Sequence, residues 1–191
     1  MTQTPTTAEA ILAAAKRAIR TGGPERLTLS AVAAEAGVSR PTLYRWFPTK
    51  SLLLGAIAAD EVEKFDRGLQ AAVDAHRDPT RRLDAALHHL VTFLADSTGP
   101  DSIRADPAFA LQSIADSHAP HVESFARVVG DALNGVPAVR AGALTRRQAA
   151  DMFLRLAYSH YVVPHPDPDR FLTMMRAFAG IDGSRARRAA R

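Results

Sequence analysis

The chain has 191 residues, 47% of them hydrophobic and 23% charged, which supplies a buried core and excludes a disordered chain. It has no cysteine, so disulfides and thiolate chemistry are excluded. No apolar run nears the roughly eighteen residues of a membrane span, and the N-terminus MTQTPTTAEA lacks the basic-then-apolar order of a signal peptide, so a cytoplasmic protein is expected. The net charge of +4 is unevenly placed: residues 1–50 carry seven Lys and Arg against three Asp and Glu, residues 51–180 thirteen against sixteen, and residues 181–191 four against one. A basic N-terminal end on a mildly acidic body suits phosphate contact at one end and another task at the other.

In chain order, Thr6-x-x-Glu9 is a capping-box pattern that opens a helix predicted over 7–21, with Leu12, Ala15 and Ile19 as its core stripe. Thr21-Gly22-Gly23-Pro24 stops it. Lys16, Arg17 and Arg20 fall on its other faces and read as solvated side chains. Thr28 to Lys50 then reads as two short helices joined by a tight turn. Thr28 caps the first, whose buried face is Val32, Ala33 and Ala36. Gly37 supplies the left-handed conformation that ends it, and Val38 fills the gap between the pair. Ser39 caps the second helix, and Pro41 sits in its first turn, where no intrahelical N–H is needed.

That second helix sorts its faces. At about 100° per residue, Leu43 and Phe47 point one way and anchor the helix, Pro41 and Arg45 point the opposite way, and Thr42 and Tyr44 lie on the flanks. A recognition helix needs this arrangement: a greasy back, residues facing base edges, and hydroxyl or cationic groups facing phosphates. Arg45 is the only long hydrogen-bond donor on the outward face and suits guanine. The candidate DNA-binding residues are Thr28, Ser39, Arg40, Pro41, Thr42, Tyr44, Arg45, Trp46 and Lys50. An ordinary helical hairpin would share the two helices, the glycine and the turn. It would not need three cations clustered with Tyr44 and Trp46 on surface the core does not use.

Ala36-Gly37-Val38-Ser39, Thr42-Leu43-Tyr44, Trp46-Phe47, Lys50 and the run from Leu53 to Ile57 together resemble the DNA-binding domain of TetR-family (tetracycline-repressor-type) transcriptional regulators. The resemblance covers about the first quarter of the chain. The family has Gly, Ala or Pro where Pro41 stands, and Tyr or His where this chain has Trp46. It implies an all-α fold: a three-helix helix-turn-helix bundle over 1–50, a long helix leading into a helical effector-binding and dimerisation domain over 51–180, and here a basic tail over 181–191, read as disordered.

Further along, Thr49 caps a long helix running from Lys50 to about His76. Lys50 lies in its first turn, where a lysine and free backbone N–H groups suit a phosphate. Leu53 and Ile57 fit the N-terminal bundle, whereas Phe65, Leu69 and Val73 fit a different core, so one helix serves both. Asp78-Pro79 starts a helix with Leu83, Leu87, Leu90 and Leu94 on one stripe, and a loop follows at Ser97 to Asp101. Asp106-Pro107 begins a short helix bearing Phe109 and Ile114, and Pro120 begins another bearing Val122, Phe125, Val129 and Leu133. Asn134 to Gly142 reads as a loop. Thr145-x-x-Gln148 is a second capping box, and Asp167-Pro168 caps and starts the last helix. No stretch reads as a strand.

The helix from Thr145 to about Val162 is apolar on several sides, so it must be covered on several sides. A second copy of the last two helices supplies that cover most simply, as a four-helix bundle in a homodimer; burial within one subunit is the other reading. The resemblance further implies a pocket for a small-molecule effector among the middle helices, with His89, Phe93, Phe109, Phe125, Met152, Leu156 and Tyr158 as candidate liners. No cofactor is expected. His118 and His121, and the adjacent His88 and His89, lack the partners of a metal site, and no catalytic or phosphate-loop motif is present. The expected function is a ligand-responsive regulator, most simply a repressor, on a palindromic operator. The alternatives are an all-helical enzyme or small-molecule-binding protein not acting on DNA, and an architectural DNA binder without a ligand.

Overall fold

Every regular element in the computed structural model, which describes residues 6–97 and 106–181, is helical. In order they are α1 (Thr7–Gly22), α2 (Leu29–Glu35), α3 (Arg40–Trp46), α4 (Lys50–Asp74), α5 (Pro79–Ser97), α6 (Pro107–Val129), a 3-10 segment (Gly130–Gly135), α7 (Pro137–Arg140), α8 (Arg146–Val162) and α9 (Pro168–Phe178). Residues 182–191 of the basic tail, and 98–101 of the loop expected after α5, lie outside the described residues.

Polar caps set most of these boundaries. At α1 the Thr6 hydroxyl accepts from the Glu9 N–H (3.3 Å) while the Thr6 N–H donates to the Glu9 carboxylate (2.7 Å). Thr145 and Gln148 repeat that reciprocal pair at α8, and Asp167 caps α9. Between α2 and α3 the Gly37 N–H donates to Ala34 O (3.2 Å) and the Val38 N–H to Ala33 O (3.0 Å). These two bonds close a Schellman motif, and Gly37, at φ 67°, is the residue that tolerates the left-handed turn.

The chain divides into two compact units, Met1–Glu61 with Pro100–Ser113, and Val62–Gly99 with Ile114–Arg191. The first is built on Ile11, Ala14, Ala15, Ile19, Leu27, Val32, Ala33, Leu43, Phe47 and Leu53, all buried, with Val38, Ile57 and Phe109 packed against them. Lys16 is not a solvated side chain here: its ammonium pairs with Asp60 (2.5 Å) and Glu61 of α4 in partly buried surroundings. Arg17 pairs with Glu35 at 2.9 Å on open surface. The second unit buries Phe65, Leu69 and Val73 of α4, the predicted leucine stripe of α5, Val122, Phe125, Val128 and Val129 of α6, and the inward face of α8.

Two further expectations change. The predicted pair of helices at Pro107 and Pro120 is one helix, α6, with Pro120 inside it. Pro120 is exposed, so the helix carbonyl left without its N–H donor there can be met by water. The loop expected over 134–142 holds the end of the 3-10 segment and the one-turn α7.

Candidate nucleic-acid interface and a buried aromatic cluster

A seven-residue helix is too short to stand alone, so α3 depends on its cap and its seat. Ser39 Oγ accepts from the Thr42 N–H at 3.2 Å and lies 2.8 Å from Thr42 Oγ1. Leu43 has no exposed surface and Phe47 is 8% exposed. Burying a leucine this fully contributes about 2 kcal/mol and fixes which way the rest of the helix faces. With that side seated, Arg40, Pro41, Tyr44, Arg45 and Trp46 are exposed, Tyr44 and Trp46 to about half their surface.

The other candidates flank this surface in sequence. Thr42 is half-buried, its hydroxyl engaged with Ser39. Thr28 Oγ1 accepts from the Ala31 N–H at 3.2 Å. A capping hydroxyl accepts through its lone pairs and keeps its own proton to donate, so Thr28 remains competent towards a phosphate. Lys50 Nζ donates to the Glu25 carbonyl at 3.2 Å, and Thr49 Oγ1 accepts from the Leu52 N–H at 3.2 Å to start α4. Leu52, not singled out from the sequence, is 57% exposed one residue before the buried Leu53; a leucine inside a leucine-rich run gives no signal of exposure.

The seven candidate pocket residues separate. Phe109 packs on the N-terminal cluster, because the helix that carries it begins in the first unit. Met152 is 46% exposed: Ala149, Ala150, Phe153, Leu154, Ala157, Tyr158 and Tyr161 take the buried side of α8 and leave Met152 outside. Leu156 is half-buried and Phe125 fully buried, its ring 6.4 Å from Phe153. His89, Phe93 and Tyr158 come together through two residues not predicted as liners, Phe65 and His121. The Phe65 ring lies 4.5 Å from His121, 5.2 Å from Phe93 and 5.5 Å from His89. His121 Nδ1 is 2.9 Å from Tyr158 Oη, and His89 Nε2 is 3.1 Å from the Phe65 carbonyl.

Burial decides the charge state of this cluster. It pushes the His121 imidazole down to about 4, against the opposing pull of Asp66, and pushes the Tyr158 phenol up to about 12. His89 is also lowered by burial, partly offset by its bond to Phe65 O. At neutral pH the cluster holds two neutral imidazoles and a neutral phenol. Beside it, His118 Nε2 meets Asp151 Oδ1 at 2.6 Å, and the Arg155 bond holds the Asp151 carboxyl below its usual range. Among the described residues no three His, Asp or Glu side chains converge as a metal site requires.

A capped helical pair seated on a small core, with its second helix turned outward and carrying Arg40, Tyr44, Arg45 and Trp46, has the geometry of a helix-turn-helix module. Residues 11–57 match the sequence model of the tetR family of bacterial regulatory proteins. It is 31% identical over 97 residues to the HTH-type transcriptional regulator EthR of Mycolicibacterium smegmatis, a match covering 50% of this chain and 44% of EthR. The chain thus spans about half the length of the curated relatives it matches. Among solved structures it is similar to the TetR family repressor AlkX from Dietzia sp. strain DQ12-45-1b, with a TM-score of 0.58 and 25% identity over 92% of this chain and 94% of that one. It shares a fold with AibR in complex with isovaleryl coenzyme A and operator DNA, at a TM-score of 0.59 and 20% identity over 91% and 98% of the two chains.

Proposed function

We propose that this chain is a transcriptional regulator that binds a palindromic duplex as a homodimer and lets it go on taking up a small, largely apolar effector. The observation that carries the reading is α3: Leu43 and Phe47 buried, Arg45 and its neighbours exposed. In this reading Pro41 and Arg45 face base edges, and Ser39, Arg40, Thr42, Tyr44, Trp46, Thr28 and Lys50 hold phosphates. Residues 1–50 are the DNA-binding domain and 51–180 the effector and dimer domain. The likeness to AibR, described with both an acyl coenzyme A and operator DNA, supports pairing the two tasks in one chain.

The dimer reading rests on the last two helices. Met152, Val162, Val163, Met174 and Phe178 leave large apolar surface exposed on α8, α9 and the start of their connector. Such a face is best covered by its own copy across a two-fold axis, which would present two recognition helices to half-sites one helical turn apart, about 34–36 Å. The effector reading rests on the polar groups held inside the aromatic cluster. Its mechanism is a population shift: an effector that prefers one setting of α4 changes DNA affinity, and one that binds both settings equally changes nothing. No catalytic step belongs to this reading, and the protein acts in the cytoplasm, where its duplex is.

The test is binding-site selection followed by titration of the selected duplex at several salt concentrations. Arg45→Ala should relax the preference at one base pair per half-site by about 1–3 kcal/mol, and Tyr44→Phe should weaken all sequences alike. Selection of an unchanged motif by Arg45→Ala would refute the assignment of that side chain to the bases.

A further inference from the structure

His121 is 4% exposed, and Tyr158 engages only its Nδ1. Among the described residues no group hydrogen-bonds its Nε2, and the same holds for the buried Oδ1 of Asp66. Phe65 and Phe93 stand 4.5 and 6.2 Å from the His121 ring, and His89 is 5.7 Å from Phe93. A polar atom is thus held among apolar rings, in the unit where an effector would bind. A site of this kind discriminates strongly, since a guest lacking the matching group leaves the protein's own polar atom unmet.

The chemistry of that guest follows from what surrounds the atom. Tyr158 Oη can donate to Nδ1 or accept from it, so Nε2 presents either a lone pair or an N–H. A hydroxyl satisfies both cases, because it donates and accepts. A carboxylate only accepts, and it brings a charge into a buried place. The neighbouring charge is also of the wrong sign for an anion: Asp66 acts on His121 electrostatically. Arg127 bonds Asp66 Oδ2 and Ser124 Oγ, each at 3.3 Å, and its side chain is largely in solvent. His118 is paired with Asp151.

We propose that the effector is an uncharged, hydroxyl-bearing molecule, a phenol or an alcohol with an apolar body, whose hydroxyl bonds His121 Nε2 while its body packs on Phe65 and Phe93. The proposal rests on the reading that the second unit takes up an effector, and it names the class: hydroxyl compounds are admitted, while carboxylic acids and plain hydrocarbons are disfavoured.

Three compact probes test it: phenol, benzoate and toluene, titrated into the full-length, 15N-labelled protein. Long-range 1H–15N correlation spectra report the His121 ring nitrogens directly. Phenol should move the His121 Nε2 resonance and saturate, at a concentration about tenfold or more below those needed for benzoate and toluene. In His121→Leu, phenol and toluene should bind alike; should that variant not fold, the three-way comparison on the unaltered protein decides alone. Benzoate binding as tightly as phenol, phenol no better than toluene, or a His121 ring that none of the three moves, overturns the proposal. A parallel anisotropy titration of the selected duplex separates the two claims. Phenol that binds at His121 without changing DNA affinity refutes the effector-responsive reading and leaves the site standing. Phenol that releases DNA equally from His121→Leu refutes the site and leaves the reading.

Discussion

Gly68 and Gly55 both lie within α4, and adding one methyl group to each should have opposite effects. At Gly55 a Cβ meets nothing within 4 Å, so Gly55→Ala gains only the helix propensity of alanine, about 1 kcal/mol. At Gly68 a Cβ would lie 3.1 Å from His89 Nε2 and 3.2 Å from Nδ1, and would overlap Cε1 outright. The imidazole must then leave its place over the α4 backbone. That forfeits its bond to the Phe65 carbonyl, worth about 0.5–1.5 kcal/mol, and adds an overpacking cost of about 1–3 kcal/mol. Set against the same propensity gain, Gly68→Ala should be less stable than the parent by about 0.5–3.5 kcal/mol. Urea unfolding followed by circular dichroism, at one fixed protein concentration, measures both variants, with amide exchange over residues 65–73 as the local readout. Adding His89→Ala to Gly68→Ala should recover the overpacking part of the loss, because it removes the atoms in the way, while the bond to the Phe65 carbonyl stays lost. Gly68→Ala proving as stable as Gly55→Ala would show that the His89 contact does not constrain α4.

Acid should weaken the fold through His121. Its folded-state pKa of about 4 lies below the ordinary histidine value, so between about pH 6.5 and 4 the unfolded chain binds a proton that the folded chain refuses. Stability from this group is therefore complete above pH 6.5 and falls by up to about 3 kcal/mol as pH drops to 4, with the lowered His89 adding in the same direction; His121→Leu should flatten that slope in pH-dependent urea melts. If the proposed dimer forms through α9, Phe178→Asp, and separately Met174→Asp, should leave a monomer in sedimentation equilibrium where the parent is a dimer, and an unchanged mass for both would remove α9 from the interface. Ser39→Ala deletes the bond to the Thr42 N–H, at about 1 kcal/mol of helix α3, and removes a proposed phosphate contact; it should lower duplex affinity for all sequences alike and leave the selected motif unchanged.

Local signals proved legible where one or two residues decide the outcome. Thr6, Thr28, Ser39, Thr145 and Asp167 cap the helices their spacing predicts, and Gly37 turns between α2 and α3 because its φ of 67° favours glycine. The faces of α3 were legible for the same reason: a 3.6-residue period places Leu43 and Phe47 together without reference to anything distant. The pairing of Lys16 with Asp60 and Glu61 was not, because those partners lie some forty residues away on another helix. The aromatic cluster was half legible. The sequence points to His89, Phe93 and Tyr158 as liners, but for His121 it offers only a histidine pair without the partners of a metal site. Its contact with Tyr158 spans 37 residues, and Pro120 suggested a helix boundary that would have turned it elsewhere. Phe109 and Met152 went astray for a related reason. A side chain's apolar character says that it wants cover, and the element it sits on decides which cover it finds.

Lys50 arrives at any encounter with a duplex already restrained. Its long side chain is tied by Nζ to the Glu25 carbonyl at 3.2 Å, in a half-buried setting. A free lysine has about 2 kcal/mol of rotamer freedom to surrender when a phosphate captures it. In this chain part of that freedom is already surrendered during folding, so on the proposed reading a phosphate that takes up Lys50 has less left to freeze.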